Sequence, residues 1–128
     1  MVKYMIGELD YKEIEKICKE SNDFSQYSRY VRYDLAKNIE CAKNPAYREL
    51  FKDEDLDVFL ATNPLAPNYQ EYSRLFINKY PIVRQSTAEN KNAPKLAEYN
   101  QLFKDRSKKV RIEAASNKNA PKVQGYSK

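Results

Sequence analysis

Four lysines stand in two columns of a hexapeptide that this chain writes twice. "NKNAPK" occupies residues 90–95 and again 117–122, which sets Lys91 and Lys95 in register with Lys118 and Lys122. Between the two copies, "KDRSKKVR" adds Lys104, Arg106, Lys108, Lys109 and Arg111. Ammonium and guanidinium groups at this density offer electrostatic pairing with phosphates, in contacts that are salt-sensitive and carry little sequence information. The plainer alternative is a solubilising face, with Arg111 answering Asp105. A second set lies in "YSRYVRYD" at 27–34, where Tyr27, Tyr30 and Tyr33 recur every third residue around Arg29 and Arg32. Tyr and Arg dominate binding hot spots, and both can stack on bases. Val31 and Leu35 sit in the same stretch, so one or two of these tyrosines are also expected to pack inward.

Other chemistries lack their residues. The chain has no His, which removes Ser-His-Asp and Cys-His pairs, His-ligated metals and the usual general base near neutral pH. Two Gly are too few for a phosphate-binding loop or a dinucleotide fingerprint. The acidic run "KDEDLD" at 52–57 could supply paired carboxylates, but its place between repeated segments suits a solvated turn or a helix start, and EF-hand spacing is missing. Cys18 and Cys41 form no CxxC pair and are expected to be reduced, small apolar residues. No catalytic residue, cofactor or metal is expected.

Charge is divided unevenly. Residues 1–78 hold 11 Lys/Arg against 14 Asp/Glu, whereas residues 79–128 hold 12 against 4, so a net +5 conceals balances of −3 and +8. Local field of this kind steers a chain toward charged partners. A hydrophobic content of 41% can support a core, and eleven Tyr suit thin layers in which a ring is buried and its hydroxyl kept polar. The apolar runs are too short for a membrane span, and the start "MVKYMIGELDYKE" turns acidic too early for a signal peptide. A cytoplasmic protein is the expectation.

The elements that position these residues are repeats. "VRQSTAENKNAPKLAEYNQLFKD" from Val83 aligns with "VRIEAASNKNAPKVQGY" from Val110, "LDVFLATNPLAPNYQEYSRLFIN" from Leu56 and "VRYDLAKNIECAKNPAYRELFKD" from Val31. Four columns recur throughout: Val31, Leu56, Val83, Val110; Ala36, Ala61, Ala88, Ala115; Asn38, Asn63, Asn90, Asn117; and Tyr47, Tyr72, Tyr99, Tyr126. Leu-Phe closes the first three copies at 50–51, 75–76 and 102–103. Such internal periodicity decides the architecture before any other signal. Each copy reads as a short helix, a tight corner and a second helix. Ala-Pro at 66–67, 93–94 and 120–121 marks a helix start, Leu96, Tyr99, Leu102 and Phe103 form one apolar stripe, and the Asn amide can satisfy backbone groups at the corner. Within residues 1–30, Leu9, Ile14, Ile17 and Cys18 fall at helical spacing, as a capping helix would place them, and "SNDFSQ" at 21–26 marks a break.

These columns resemble the variant leucine-rich repeat family, and more loosely HEAT-like repeats: Val83-Arg84, Ala88, Asn90, Pro94, Leu102 and Asp105 lead to Val110-Arg111. Copy one departs with Cys41-Ala42 in place of Ala-Pro, and copy two with Leu56-Asp57 in place of Val-Arg. The resemblance implies a right-handed superhelix of short helices that serves as a binding surface. The expected fold is all-α, a short right-handed α-solenoid of about four two-helix repeats with an N-terminal capping helix. It forms one domain over 1–128, with the cap at 1–30 and repeats at 31–55, 56–82, 83–109 and 110–128. The expected function is a non-catalytic adaptor or small inhibitor acting on a nucleic-acid-handling protein. The alternative is sequence-nonspecific nucleic-acid binding through the basic half. Neither membrane nor metal is expected as a partner. The last copy ends in "VQGYSK", without a Leu-Phe pair, which leaves self-association at Val123 and Tyr126 open; a frayed or partner-covered end is preferred there to a homodimer.

Overall fold

A computed structural model describes residues 9–121, and across them the chain is helical with no strand. Lys122, Val123, Gly125 and Tyr126 lie outside the described residues. The α-helices are α1 (Tyr11–Glu20), α2 (Arg29–Lys37), α3 (Ile39–Ala42), α4 (Asp57–Thr62), α5 (Pro81–Glu89) and α6 (Lys108–Ser116). Side chains start them where the first N–H groups need acceptors. Asp10 and Glu13 close a reciprocal capping box on α1, while Ser28 and Ser107 accept from Val31 N and Val110 N. Pro81 opens α5, where its missing N–H removes no helical hydrogen bond.

The second helix of each of the first three copies is 3-10, not α: Pro45–Lys52, Gln70–Ile77 and Ala97–Lys104. Runs of this length are uncommon for a helix with weaker hydrogen-bond geometry. The apolar spacing accounts for it. Within the runs Tyr47 and Leu50, Tyr72 and Leu75, and Tyr99 and Leu102 are three apart, and three residues per turn keeps each pair on one line. Tyr47, Tyr72 and Tyr99 are fully buried, with Leu50-Phe51, Leu75-Phe76 and Leu102-Phe103 beside them. The Val/Leu column is buried at all four positions. The Ala column is buried at Ala36, Ala61 and Ala88; in the fourth copy Ala114 takes the interior place and Ala115 is exposed. Leu96 is half-buried against the core rather than inside it.

First helices pack on first helices, α2 on α4, α4 on α5 and α5 on α6, and the 3-10 runs pack in the same order. Between neighbouring copies the Asn column supplies the polar link. Asn90 Oδ1 accepts from Asn92 N at 2.9 Å, which satisfies its own corner. Its Nδ2 donates backwards, to Ala61 O at 2.8 Å and Asn63 O at 2.9 Å. Asn63 repeats this with Leu65 N, Ala36 O and Asn38 O, and Asn117 with Asn119 N, Ala88 O and Asn90 O. The same alanine carbonyls accept from the buried tyrosines: Tyr47 Oη donates to Ala36 O at 2.6 Å, Tyr72 to Ala61 O at 2.7 Å and Tyr99 to Ala88 O at 2.9 Å. Burial holds all three phenols far above their ordinary pKa, so they remain neutral donors.

The expectation of reduced cysteines is overturned. Cys18 and Cys41 form a disulfide that ties α1 to α3, two helices already in contact. Asn44 Nδ2 reinforces the join, donating to Cys18 O and Ser21 O at 2.8 Å each. Twenty-three residues of separation carry no local spacing signal, yet closing that loop removes roughly 3 kcal/mol of unfolded-chain entropy. The break at 21–26 stands: Ser21 ends α1, and Phe24, at 0% exposure, anchors a short 3-10 turn over Phe24–Gln26.

Two stability outcomes follow. Replacing Asn90 by Ala leaves Asn92 N without its acceptor, at about 1–3 kcal/mol for an unsatisfied group, and removes the link to Asn63 O, which keeps its bond from Ala66 N. Asn117, less buried and at the last described corner, should cost less when truncated, and urea unfolding of both variants measures the difference. Tyr99→Ala removes a fully buried ring and its hydroxyl, for about 3–5 kcal/mol. Half-buried Leu96→Ala should lose less than half of that, and equal losses in thermal melts would contradict the assigned packing.

Candidate interaction surfaces

Among the described residues no group of three or more His, Cys, Asp or Glu is placed to hold a metal ion. No helix there is long and apolar enough to cross a membrane. The features that remain are surfaces, and ion pairing divides them sharply. Every Lys and Arg from 29 to 74 pairs with a carboxylate: Arg29 with Asp55, Arg32 with Asp53, Lys37 with Asp34, Lys43 with Glu40, Arg48 with Glu71, Lys52 with Glu49 and Arg74 with Asp57. From 79 to 121, Arg84 alone does so with a described residue.

Among the described residues the basic columns therefore form no ion pair with a carboxylate. Lys91, Lys95, Lys104, Arg106, Lys108, Lys109 and Lys118 are all exposed. Lys95 Nζ touches Asn68 Oδ1, a neutral group. Lys91 and Lys118 each follow the Asn of their corner, so the Asn ladder fixes their spacing across neighbouring copies. Lys104, Arg106, Lys108 and Lys109 gather at the opposite, N-terminal end of α6. Arg111 is not spare: its Nη1 donates to the Asp105 backbone oxygen at 2.6 Å, while Arg84 takes the Asp105 carboxylate at 2.7 and 3.1 Å.

The Tyr/Arg stretch divides the other way. Arg32 Nη1 donates to Tyr27 O at 2.6 Å and Nη2 to Asp53 Oδ2 at 2.9 Å, so it clamps the start of α2 to the end of its own copy. Tyr33 lies 5.1 Å from the Phe59 ring, and Tyr27 packs on the core. Arg29, paired with Asp55 at 3.9 Å, and Tyr30, at 57% exposure, are the members left at the surface. Three of the five residues are thus engaged in holding the fold.

Two features escaped the sequence reading. Asp57 stands where other copies carry Arg, and it is buried, so "KDEDLD" is not wholly solvated. Arg74 meets Asp57 at 2.8 and 2.9 Å, and Asn78, in the column of Asp53 and Asp105, donates to it at 2.8 Å. Copy two has reversed the polarity of the clamp and drawn its cation from another position; the Leu56-Asp57 departure was the available signal. Beside this pair runs a groove of about 430 Å³ lined by Glu54, Val58, Tyr80 and Ile82. Tyr80, Ile82 and the neighbouring Ile77 are 56%, 56% and 71% exposed. They fall outside the repeated columns, which is why no pattern marked them.

No family model, curated protein or solved structure matches this chain. Its own geometry must carry the functional reading.

The two acidic clamps make stability depend on pH. The hydrogen bond from Arg32 holds the Asp53 carboxyl below its usual range against the opposing effect of burial. Burial alone would raise Asp105, but hydrogen bonds from Arg84 and Ser107 N, with the charges of Arg84 and Arg106, lower it overall. A carboxyl with a depressed folded pKa stabilises above its unfolded value, about 3.9, and loses that contribution as pH falls through the lower folded value. Asp105→Asn leaves buried Arg84 unpaired and should lower stability at pH 7 by about 3–5 kcal/mol. Below about pH 4 the parent should converge on the variant, and unfolding midpoints from pH 7 to 2 test this.

Proposed function

We propose that the described helices form a short right-handed α-solenoid of about four two-helix repeats behind an N-terminal cap. In this reading the chain is a non-catalytic module that binds nucleic acid through its basic half without reading sequence. The observation that carries it is the contrast in ion pairing. Cations from 29 to 74 each form an ion pair, whereas those at 91, 95, 104, 106, 108, 109 and 118 are exposed and form no ion pair with a described carboxylate. Six of these seven are Lys. Lys is depleted at protein interfaces, while as a compact point charge it serves well against phosphate.

A second reading keeps a protein partner, with the chain as an adaptor or inhibitor of a nucleic-acid-handling protein. Exposed Ile77, Tyr80 and Ile82 beside the groove support it, since apolar and aromatic side chains together suit a protein contact better than a phosphate backbone. The Tyr30/Arg29 remnant adds little area.

An electrophoretic shift series with unrelated DNA and RNA sequences over a range of salt separates the two. Replacing Lys91, Lys95, Lys118 and Lys122 with Ser should weaken binding alike across sequences and flatten its salt dependence. Absence of binding by the parent protein at modest salt, or full retention by the variant, would remove the nucleic-acid reading and leave the protein partner ahead.

A further inference from the structure

The starts of the first helices carry a pattern that the buried columns do not. The two positions before the Val/Leu column hold Glu54-Asp55 in copy two, Pro81-Ile82 in copy three and Lys108-Lys109 in copy four. All six residues are exposed. Two positions after the column stand Val58, Gln85 and Ile112, the first half-buried and the last 50% exposed. Ile82 and Gln85 on α5, and Lys109 and Ile112 on α6, are three apart and so share a side of their helix. In copy two the groove described above brings Glu54, Asp55 and Val58 together with Tyr80 and Ile82. Leu56, Val83 and Val110 are buried in register, while α4 packs on α5 and α5 on α6, which lines these positions up across one face. Along that face the order is acidic, apolar, basic.

We propose that this face pairs with the same face of a second copy of the chain, about a two-fold axis running along α5. Such an axis keeps position along the helices and exchanges what lies on either side, which makes the contact isologous. Ile82 of one chain then meets Ile82 of the other. Glu54 and Asp55 face Lys108 and Lys109 of the second copy, Val58 faces its Ile112, and each contact is made twice. An apolar centre within a charged rim is how protein interfaces are built. The order of the copies selects a second copy as the occupant. A face with opposite charges at its ends is its own complement when the reversing axis passes through the middle, and the middle copy here is the apolar one. The same reversal brings the net-negative part of each chain, 1–78, toward the net-positive part of the other, 79–128. Asp55 meets Arg29 within its own chain at 3.9 Å with both side chains well exposed, a weak pair that leaves it open to a second cation. Lys79, which the axis brings toward its own mate, lies 5.2 Å over the Tyr80 ring and shares the groove with Glu54 and Asp55. Lys91, Lys95 and Lys118 belong to the corners, so the pairing rests on neither reading above.

Sedimentation equilibrium of nucleic-acid-free protein, at low salt and from micromolar to sub-millimolar loading, provides the test. The parent chain should show a reversible monomer–dimer equilibrium that weakens as salt screens the rim pairs. Ile82→Asp sets two carboxylates at the axis and should leave a monomer. E54K/D55K and K108E/K109E each place like charges opposite one another, and each alone should be monomeric. Mixed in equal amounts, the two should form a heterodimer, because every reversed end then faces its opposite. All five substituted side chains are exposed, and unchanged melting temperatures establish that the variants stay folded. The charge variants decide on their own should Ile82→Asp fail to fold. A parent chain that stays monomeric throughout, an open-ended series of higher oligomers, or a dimer that survives Ile82→Asp overturns the proposal. So does a mixture of the two charge variants that remains monomeric.

Discussion

One side-chain amide does for this chain what a continuous backbone ladder does for a sheet. An Asn at a corner has an acceptor and two donor hydrogens on a rigid plane, enough to close its own turn and reach two carbonyls of the preceding copy. At Asn63, Asn90 and Asn117 all three bonds are made. The carbonyls involved end the first helices and have no intrahelical partner. Each of these carbonyls keeps one local donor, a tyrosine hydroxyl at Ala36, Ala61 and Ala88 and a backbone N–H at Asn38, Asn63 and Asn90, and the amide adds the bond that ties it to the following copy. Tyr47, Tyr72 and Tyr99 depend on the same geometry, because their hydroxyls share the carbonyls that the amides hold in place.

The charged clamps form a second, less uniform system. Arg32–Asp53 and Arg84–Asp105 join the start of a copy to its end, and the guanidinium also caps a backbone carbonyl, Tyr27 O or Asn78 O. Copy two reaches a similar balance with Asp57, Arg74 and Asn78. The requirement is therefore for a satisfied buried charge at this junction, with either sign available. A buried carboxylate without Arg74 would be costly, so the reversed pair must have its residues together.

Much of this was legible because repetition averages out local ambiguity. A single Val or Tyr says little; Val31, Leu56, Val83 and Val110, or Tyr47, Tyr72 and Tyr99, identify interior positions that the structure buries. The corner role of Asn could be read from its distance to Pro. Its backward reach could not, because a donor's partner 27 residues away leaves no trace in spacing. The same holds for Cys18 and Cys41, joined by the fold and not by any motif. The 3-10 character was hidden by the pattern itself: Tyr99, Leu102 and Phe103 suit an α-helical stripe, and an eight-residue run is too short to separate a period of 3.0 from 3.6. On the surface, the basic columns were visible, but their lack of counterions depends on where Glu and Asp side chains fall in space. Arg32 and Tyr33 illustrate the converse, since composition suggested contact residues and the fold uses both.

Copy length varies, and the variation is confined. The corner Asn recurs after 25, 27 and 27 residues, yet its backward hydrogen bonds are alike in all three cases. From the Val/Leu column to Asn is seven residues in every copy, and from Asn to Tyr nine. The difference falls between Phe and the next first helix, five residues from Phe51 to Leu56 against seven from Phe76 to Val83 and from Phe103 to Val110. This connector is the hinge of the design in an engineering sense: it is the port through which chain can be added or removed while the amide links keep their reach. A guest loop inserted between Arg106 and Ser107, with Asp105 kept for Arg84, would be displayed at the edge beside α6, on a scaffold whose amide links do not depend on the length of what it carries.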